Sequence, residues 1–191
     1  MPPIKRIDRE SILSAAENLL ANEGMDAINA RRLATFLNSS VQPIFYNFKS
    51  MDDLKNELLN RIYGIYQKYM NEGKKHTKPY KGMGLAYIGF ARDYPNYFKE
   101  IFMRKSDLSA SMFITNDDVG NDVIKKGMEL TGFTEEEQKE FHLSVWVFTH
   151  GFACLVATNT VNLDNDEVDR LLERTVKMMI LGKKELDKWK I

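Results

Sequence analysis

The chain has 191 residues, 43% of them hydrophobic, enough for a packed core in one compact unit or in a small domain joined to a larger one. Its 27 basic and 27 acidic residues cancel, so bulk charge does not advertise a polyanionic partner; the single Cys154 excludes an internal disulfide and reads as a small buried hydrophobe rather than a redox sensor. The chain shows no run of about eighteen apolar residues, and the opening MPPIKRIDRE lacks the apolar stretch of a leader; no membrane partner and a cytoplasmic location are expected.

Residues Arg9 to Glu23 place Ile12, Leu13, Ala16, Leu19 and Leu20 on one helical face, and Gly24 follows as a terminator. A second helix is predicted from Asn29, a good N-cap, through Ala30, Arg31, Arg32, Leu33, Ala34 and Leu37. Asn38-Ser39-Ser40 breaks it. Ser40 is predicted to cap a third helix, with Pro43 in its first turn and Ile44, Phe45 and Phe48 as its apolar side. Gln42 and Tyr46 share the outward side. Two short helices joined by a tight polar turn and preceded by a third are the layout of a helix-turn-helix, whose second helix lies in a DNA major groove. A buried helical hairpin would carry the same pattern.

The first 55 residues are also neutral, but Lys5 and Arg6 stand on an N-terminal arm, and Arg31 and Lys49 flank the reading helix where phosphates would run. With few basic groups per subunit, a dimer is needed to gather enough phosphate contacts. Asp52 is predicted to cap a long helix carrying Leu54, Leu58, Ile62, Ile65, Tyr66 and Tyr69. Gly73 to Pro79 ends it. The functional boundary is set between a DNA-binding domain at 1–51 and a linking helix plus ligand-binding and dimerisation domain at 52–191.

The body reads as helices at about 80–93, 95–104, 117–131, 135–159 and 165–183, with Thr134 and Glu137 as a capping box. No strand-like alternation appears, so the fold class is all-α: a three-helix helix-turn-helix domain followed by a helical bundle. The last two helices are apolar over much of their circumference, at Phe141, Val145, Val147, Phe148, Phe152, Leu155 and Val156, then Val168, Leu171, Leu172, Val176, Met179 and Ile180. A homodimer joined through about 135–159 and 165–183 would bury that surface, as would an internal bundle.

At this point the chain resembles the TetR/AcrR family of one-component transcriptional repressors. The resemblance rests on Ile12-Leu13, Ala15-Ala16, Gly24, Asn29, Arg31, Leu33, Ala34, Ser40, Gln42-Pro43, Phe45, Asn47-Phe48 and Leu54, at the family's intervals over roughly residues 8 to 58. It departs from the family where Asn38 replaces Gly in the turn, Phe45 replaces Tyr, Asn47 replaces His and Met51 replaces Lys. Phe45 and Met51 remove groups that commonly touch phosphate in relatives, and Tyr46, Lys49 and Lys55 stand ready to replace them. The resemblance and the outward face together assign DNA contact to Asn29, Arg31, Ser40, Gln42, Pro43, Tyr46, Asn47 and Lys49. It also implies two-fold related reading helices about one DNA turn apart, roughly 34–36 Å.

The segment 90–102 with Trp146 and His150-Gly151 resembles a C-terminal ligand-binding domain found in a subset of the family. Tyr87, Phe90, Phe102, Phe113, Trp146 and His150 are assigned to a pocket for a small, largely hydrophobic ligand. Most of the aromatics are equally expected as packing. No phosphate loop, G-x-S-x-G or paired Glu-x-x-His motif occurs, since Lys139 and Val147 stand three before His142 and His150; no catalytic residue, cofactor or metal site is assigned. The alternative function is a helical sensor or adaptor that has kept the fold and lost DNA binding.

Overall fold

The computed structural model describes residues 7–104 and 118–185, and all regular structure among them is helical. Helices α1 (Arg9–Glu23), α2 (Ala30–Phe36), α3 (Gln42–Asn47) and α4 (Met51–Gly73) come first, with a short 3-10 turn at Met25–Ala27. They are followed by α5 (Pro79–Asp93), α6 (Pro95–Phe102), α7 (Asp118–Thr131), α8 (Glu135–Ala157) and α9 (Asn165–Glu185). Contacts group the described residues into two units, one reaching Ile65 and including Tyr94–Arg104, the other holding Tyr66–Asp93 and the residues from Asp118 on. These units cut the chain elsewhere than the functional boundary expected after residue 51: α4 begins in one and ends in the other, and α6 packs with α1.

In the first unit α1 starts at Asp8, whose carboxylate accepts the Ser11 N–H at 2.8 Å while the Ser11 hydroxyl accepts the Asp8 N–H at 3.1 Å. It ends at Gly24, whose φ of 87° is open only to a residue without Cβ strain. Ile12, Leu13, Ala15, Ala16, Leu19 and Leu20 are buried, as are Leu33, Ala34, Ile44, Phe48, Leu54, Leu58 and Ile62. Each Leu or Ile so buried contributes roughly 1.5–3 kcal/mol. The Asn29 side chain accepts the Arg32 N–H at 3.0 Å and caps α2 as expected. Asn29→Ala should destabilise the protein by about 1 kcal/mol and Asn29→Ser should be nearly neutral; equal urea midpoints for Asn29→Ala and the parent would show that the cap contributes nothing.

The turn after α2 is made by Asn38 at φ 50°, a left-handed position that Asn tolerates. Three expectations are corrected here. Ser40 does not cap α3, because the chain enters that helix through Val41 in a helical conformation with no side-chain cap, while the Ser39 hydroxyl donates to the Ser40 carbonyl at 2.9 Å. Phe45 is not on the buried side; Ile44 and Phe48 fill the space behind α3 and leave Phe45 half exposed. The cap of α4 is Ser50 rather than Asp52: its hydroxyl accepts the Asp53 N–H at 3.1 Å, and the Asp53 carboxylate accepts the Lys49 N–H at 3.0 Å.

Polar links hold α1 to the rest of its unit. Arg9 donates to the Asn47 carbonyl and pairs with Glu57, with its guanidinium 4.1 Å from the centre of the Phe48 ring. Arg61 on α4 pairs with Glu10 and Glu17 of α1, both at 2.6 Å. Asn96 on α6 donates to the Ala21 carbonyl at 2.9 Å, and the Tyr97 hydroxyl donates to Glu17 at 3.3 Å. Arg9 therefore fixes the end of α3 from a position 38 residues earlier in the chain.

In the second unit α5 packs on α7, α8 and α9. Gly84 lets α5 approach α9 closely, since a Cβ there would come within 3.1 Å of Leu172. Lys81 reaches Asp169 at 2.7 Å and Glu173 at 3.1 Å, and Lys177, Lys81 and Lys78 together hold the Glu173 carboxyl down to about 2. The capping box at Thr134 and Glu137 is present. Behind it the buried Gln138 donates to the Tyr80 hydroxyl at 2.6 Å and accepts from Thr131 at 2.8 Å, which satisfies a polar group that burial would otherwise penalise. Among the described residues α8, Glu135–Ala157, is long and apolar enough to cross a membrane by length and composition, although it holds no run of eighteen apolar residues. A core helix of a soluble bundle passes the same test, and α8 packs along α5.

His142 on α8 lies against the Tyr80 ring, with its Nδ1 buried and without a hydrogen-bond partner among the described residues. Burial alone pushes its pKa down to about 4. The unfolded chain, with His near 6.5, binds this proton more readily, so stability is complete above about pH 6.5 and falls as pH drops toward 4. A loss on the order of 3 kcal/mol is expected across that window. His142→Phe should flatten it; an unchanged pH profile of urea unfolding would contradict the assignment.

Candidate nucleic-acid interface and helical body

The helix pair α2–α3 is built from behind. Ile44 and Phe48 are driven inward, Arg9 anchors the last carbonyl of α3, and the first turn tolerates Pro43 because its missing N–H has no helical partner there. What remains outward is Gln42 and Tyr46, the latter 79% exposed, with the Gln42 amide 3.4 Å from the Tyr46 hydroxyl. Arg31, Ser40 and Lys49 are also exposed. The other assigned residues are engaged internally or partly covered: Asn29 caps α2, the Asn47 amide donates to the Pro43 carbonyl at 2.8 Å, and Pro43 is half-buried. Lys5 and Arg6 lie outside the described residues.

Charge on this unit is sorted by pairing. Arg9, Arg32 and Arg61 are tied to Glu57, Glu23, Glu10 and Glu17. Among the described residues Arg31, Lys49 and Lys55 have no carboxylate partner, which leaves their side chains open to an external anion. An open groove of about 1480 Å³ runs past Ser11, Ser14, Ser39, Ser40, Pro43, Tyr46 and Asn47. It offers hydroxyls and amides to a phosphate backbone, with Asp8 the acidic group on its wall.

In the body the assigned ligand residues divide. Tyr87, Trp146 and His150 come together: the Tyr87 hydroxyl lies 2.9 Å from His150 Nδ1, Cys154 Sγ lies 3.5 Å from Nε2, and the Trp146 ring stacks on His150 at 4.8 Å. Phe90 joins them through Tyr66, which stands edge-on to both Tyr87 and Phe90. Burial lowers the His150 pKa and raises those of Cys154 and Tyr87, which keeps the cluster neutral. Phe102 belongs to the other unit, against Phe98, and Phe113 lies outside the described residues. Among the described residues no three of His, Cys, Asp and Glu converge as a metal site.

The sequence did not point to the groove of about 510 Å³ that opens elsewhere in the same unit, between α4 and α5. It is lined by Tyr69, Leu85, Ala86 and Gly89 with Lys68, Glu72, Arg92 and Asp93 among its polar members. Tyr69 belongs to both features, since it lines the groove and stands edge-on to Phe90. Along α8 the residues Leu143, Val147, Gly151 and Leu155, spaced by four, are exposed, as are Met178 and Leu181 on α9. This is a continuous apolar stripe at helical spacing.

The family described as "Tetracyclin repressor-like, C-terminal domain" matches residues 80–179, just over half of the chain. An uncharacterized HTH-type transcriptional regulator from Haemophilus influenzae is 28% identical over 71 residues, 37% of this chain and 38% of that protein, so the match spans well under two thirds of the relative. Among solved structures, a TetR-family transcriptional regulator from Haemophilus influenzae Rd has a TM-score of 0.60 at 18% identity, covering 88% of this chain and 93% of its own. A TetR variant from Acinetobacter baumannii AYE in complex with minocycline has a TM-score of 0.55 at 14% identity, covering 94% and 98%. At such identities these two establish the fold alone. The family match over the helical body, on a fold shared with those regulators, leads to one conclusion: the chain belongs to the TetR family of transcriptional regulators.

Proposed function

We propose that the protein is a DNA-binding transcriptional repressor that sits as a homodimer on a two-fold symmetric operator and is released by a small, largely hydrophobic molecule held in its helical body. The observation that carries the DNA reading is the α2–α3 pair, with Gln42 and Tyr46 turned outward over a buried Ile44 and Phe48 and with Arg31 and Lys49 left unpaired among the described residues beside them. A Gln can read adenine in the major groove, and unpaired cations suit phosphates. Residues 1–51 are the reader in this account. Homodimerisation is supported by the exposed stripe on α8 and α9, which a second copy would cover.

Ligand binding is supported by the neutral ring cluster of Tyr87, Trp146 and His150, by the groove that shares Tyr69 with it, and by a fold neighbour in complex with minocycline. Release follows if the ligand prefers a dimer shape in which the reading helices no longer match successive grooves, with α4, continuous from reader to body, as the connecting element. Linkage makes this reciprocal: operator DNA must weaken ligand binding by the factor by which ligand weakens DNA binding.

Selection from a pool of random-sequence duplexes tests the reading. It should return a palindrome with half-sites about one turn apart, roughly 10 base pairs centre to centre. Failure to enrich any sequence would favour a sensor that has kept the fold and lost DNA binding, the reading to which the internal pairing of Arg9, Arg32 and Arg61 lends support.

A further inference from the structure

Beside Gln42 and Tyr46 the reading helix carries a feature that hydrogen-bond readout does not use. Val41 and Phe45, four apart, are 39% and 50% exposed, although the adjoining Ile44 and Phe48 are fully buried. At 100° per residue positions 41 and 45 form a strip along one flank of the face that presents 42 and 46. The core is already closed behind α3, so nothing within the unit requires two large apolar groups to stay in water at this place. The cations without a carboxylate partner among the described residues, Arg31 on α2 and Lys49 just after α3, lie in the same helix-turn-helix segment. An apolar strip beside an amide and a phenol, on a segment that also carries two cations, matches one surface well: the major groove at an A·T pair. That pair shows an adenine N6/N7 edge, the phosphates run alongside, and the thymine 5-methyl is the one apolar group in the groove.

We infer that Val41 and Phe45 read thymine 5-methyl groups in each half-site, while Gln42 addresses adenine. This rests on the DNA-binding reading above. A protein partner on the same strip would want a larger apolar area and would gain nothing from the flanking cations.

The test removes the methyl and nothing else. Duplexes recovered from the random-sequence pool are remade with deoxyuridine for thymine, one position at a time, which keeps every Watson–Crick and groove hydrogen-bonding atom. Full-length protein should bind about fourfold more weakly for each methyl it covers, the ratio that corresponds to roughly 0.8 kcal/mol per buried carbon group. Substitution outside the half-sites should change nothing. Phe45→Ala and Val41→Ser should each lose a similar factor on thymine duplexes and show no further loss on the uracil duplex at the position they contact. Because the first comparison uses the unaltered protein, it does not depend on a variant folding. Equal affinity for thymine and uracil at every half-site position would overturn the inference and leave DNA binding intact. Recovery of no sequence at all would overturn the DNA-binding reading and this inference with it.

Discussion

Val147→Glu should convert the protein to a folded monomer and remove operator binding at concentrations where the parent is saturated. Val147 is 56% exposed at the middle of the stripe formed with Leu143, Gly151 and Leu155, so a carboxylate there leaves the subunit's own core untouched. In a two-fold dimer each such residue meets the partner's copy of the same surface, and the substitution buries two like charges without compensation. Like-charge juxtaposition costs several kcal/mol, which weakens the dimer by at least about a hundredfold. Each subunit would then hold only its own phosphate contacts, and the log–log salt slope for DNA should fall to about half that of the parent. Sedimentation equilibrium, with circular dichroism as the check on folding, measures the first effect and anisotropy the second. A Val147→Glu protein that remains dimeric would place the dimer interface elsewhere.

Replacing Gln42 or Tyr46 by Ala should cost roughly 1–3 kcal/mol of operator affinity and change the preferred base at the position each one reads. Both side chains are exposed and touch each other rather than the core, so neither variant should lose stability. Lys49→Ala should act differently: a phosphate contact carries no sequence information, so affinity falls alike for operator and random DNA and the salt slope drops by about one. Identical sequence preference in the parent and in both Ala variants would remove Gln42 and Tyr46 from base readout.

What was legible in the sequence was whatever is decided within a turn or two of helix. The bounds of α1, the Asn29 cap and the Thr134 capping box all follow from neighbours within four residues, and each stands in the structure as read. The inward set of α1 was legible because a strict helical period has a single buried face. Ser40 was misplaced because an N-cap needs extended backbone, and Val41 enters α3 already helical. Phe45 was misplaced because hydrophobicity alone cannot say that Ile44 and Phe48 suffice to fill the space behind a helix of six residues.

The rest depends on contacts far apart in the chain. Nothing local to Arg9 announces that it will hold the Asn47 carbonyl and Glu57, and nothing in Pro95–Phe102 announces that this helix will join α1 through Asn96 and Tyr97. In the body the ring cluster could be named in part, since the resemblance singled out Trp146 and His150, while Cys154 was read only as a small buried hydrophobe. Tyr66, which bridges Tyr87 and Phe90, was read only as a core position of α4. The groove at Tyr69 was not legible, because it arises from small residues such as Ala86 and Gly89 meeting a different helix.

The most direct test of the central claim is fluorescence anisotropy of the purified protein on DNA from immediately upstream of its own gene, with random DNA as control, over a salt series. The account predicts specific binding by a dimer with a log–log salt slope of several units. Equal affinity for the upstream and random duplexes at low salt would contradict it.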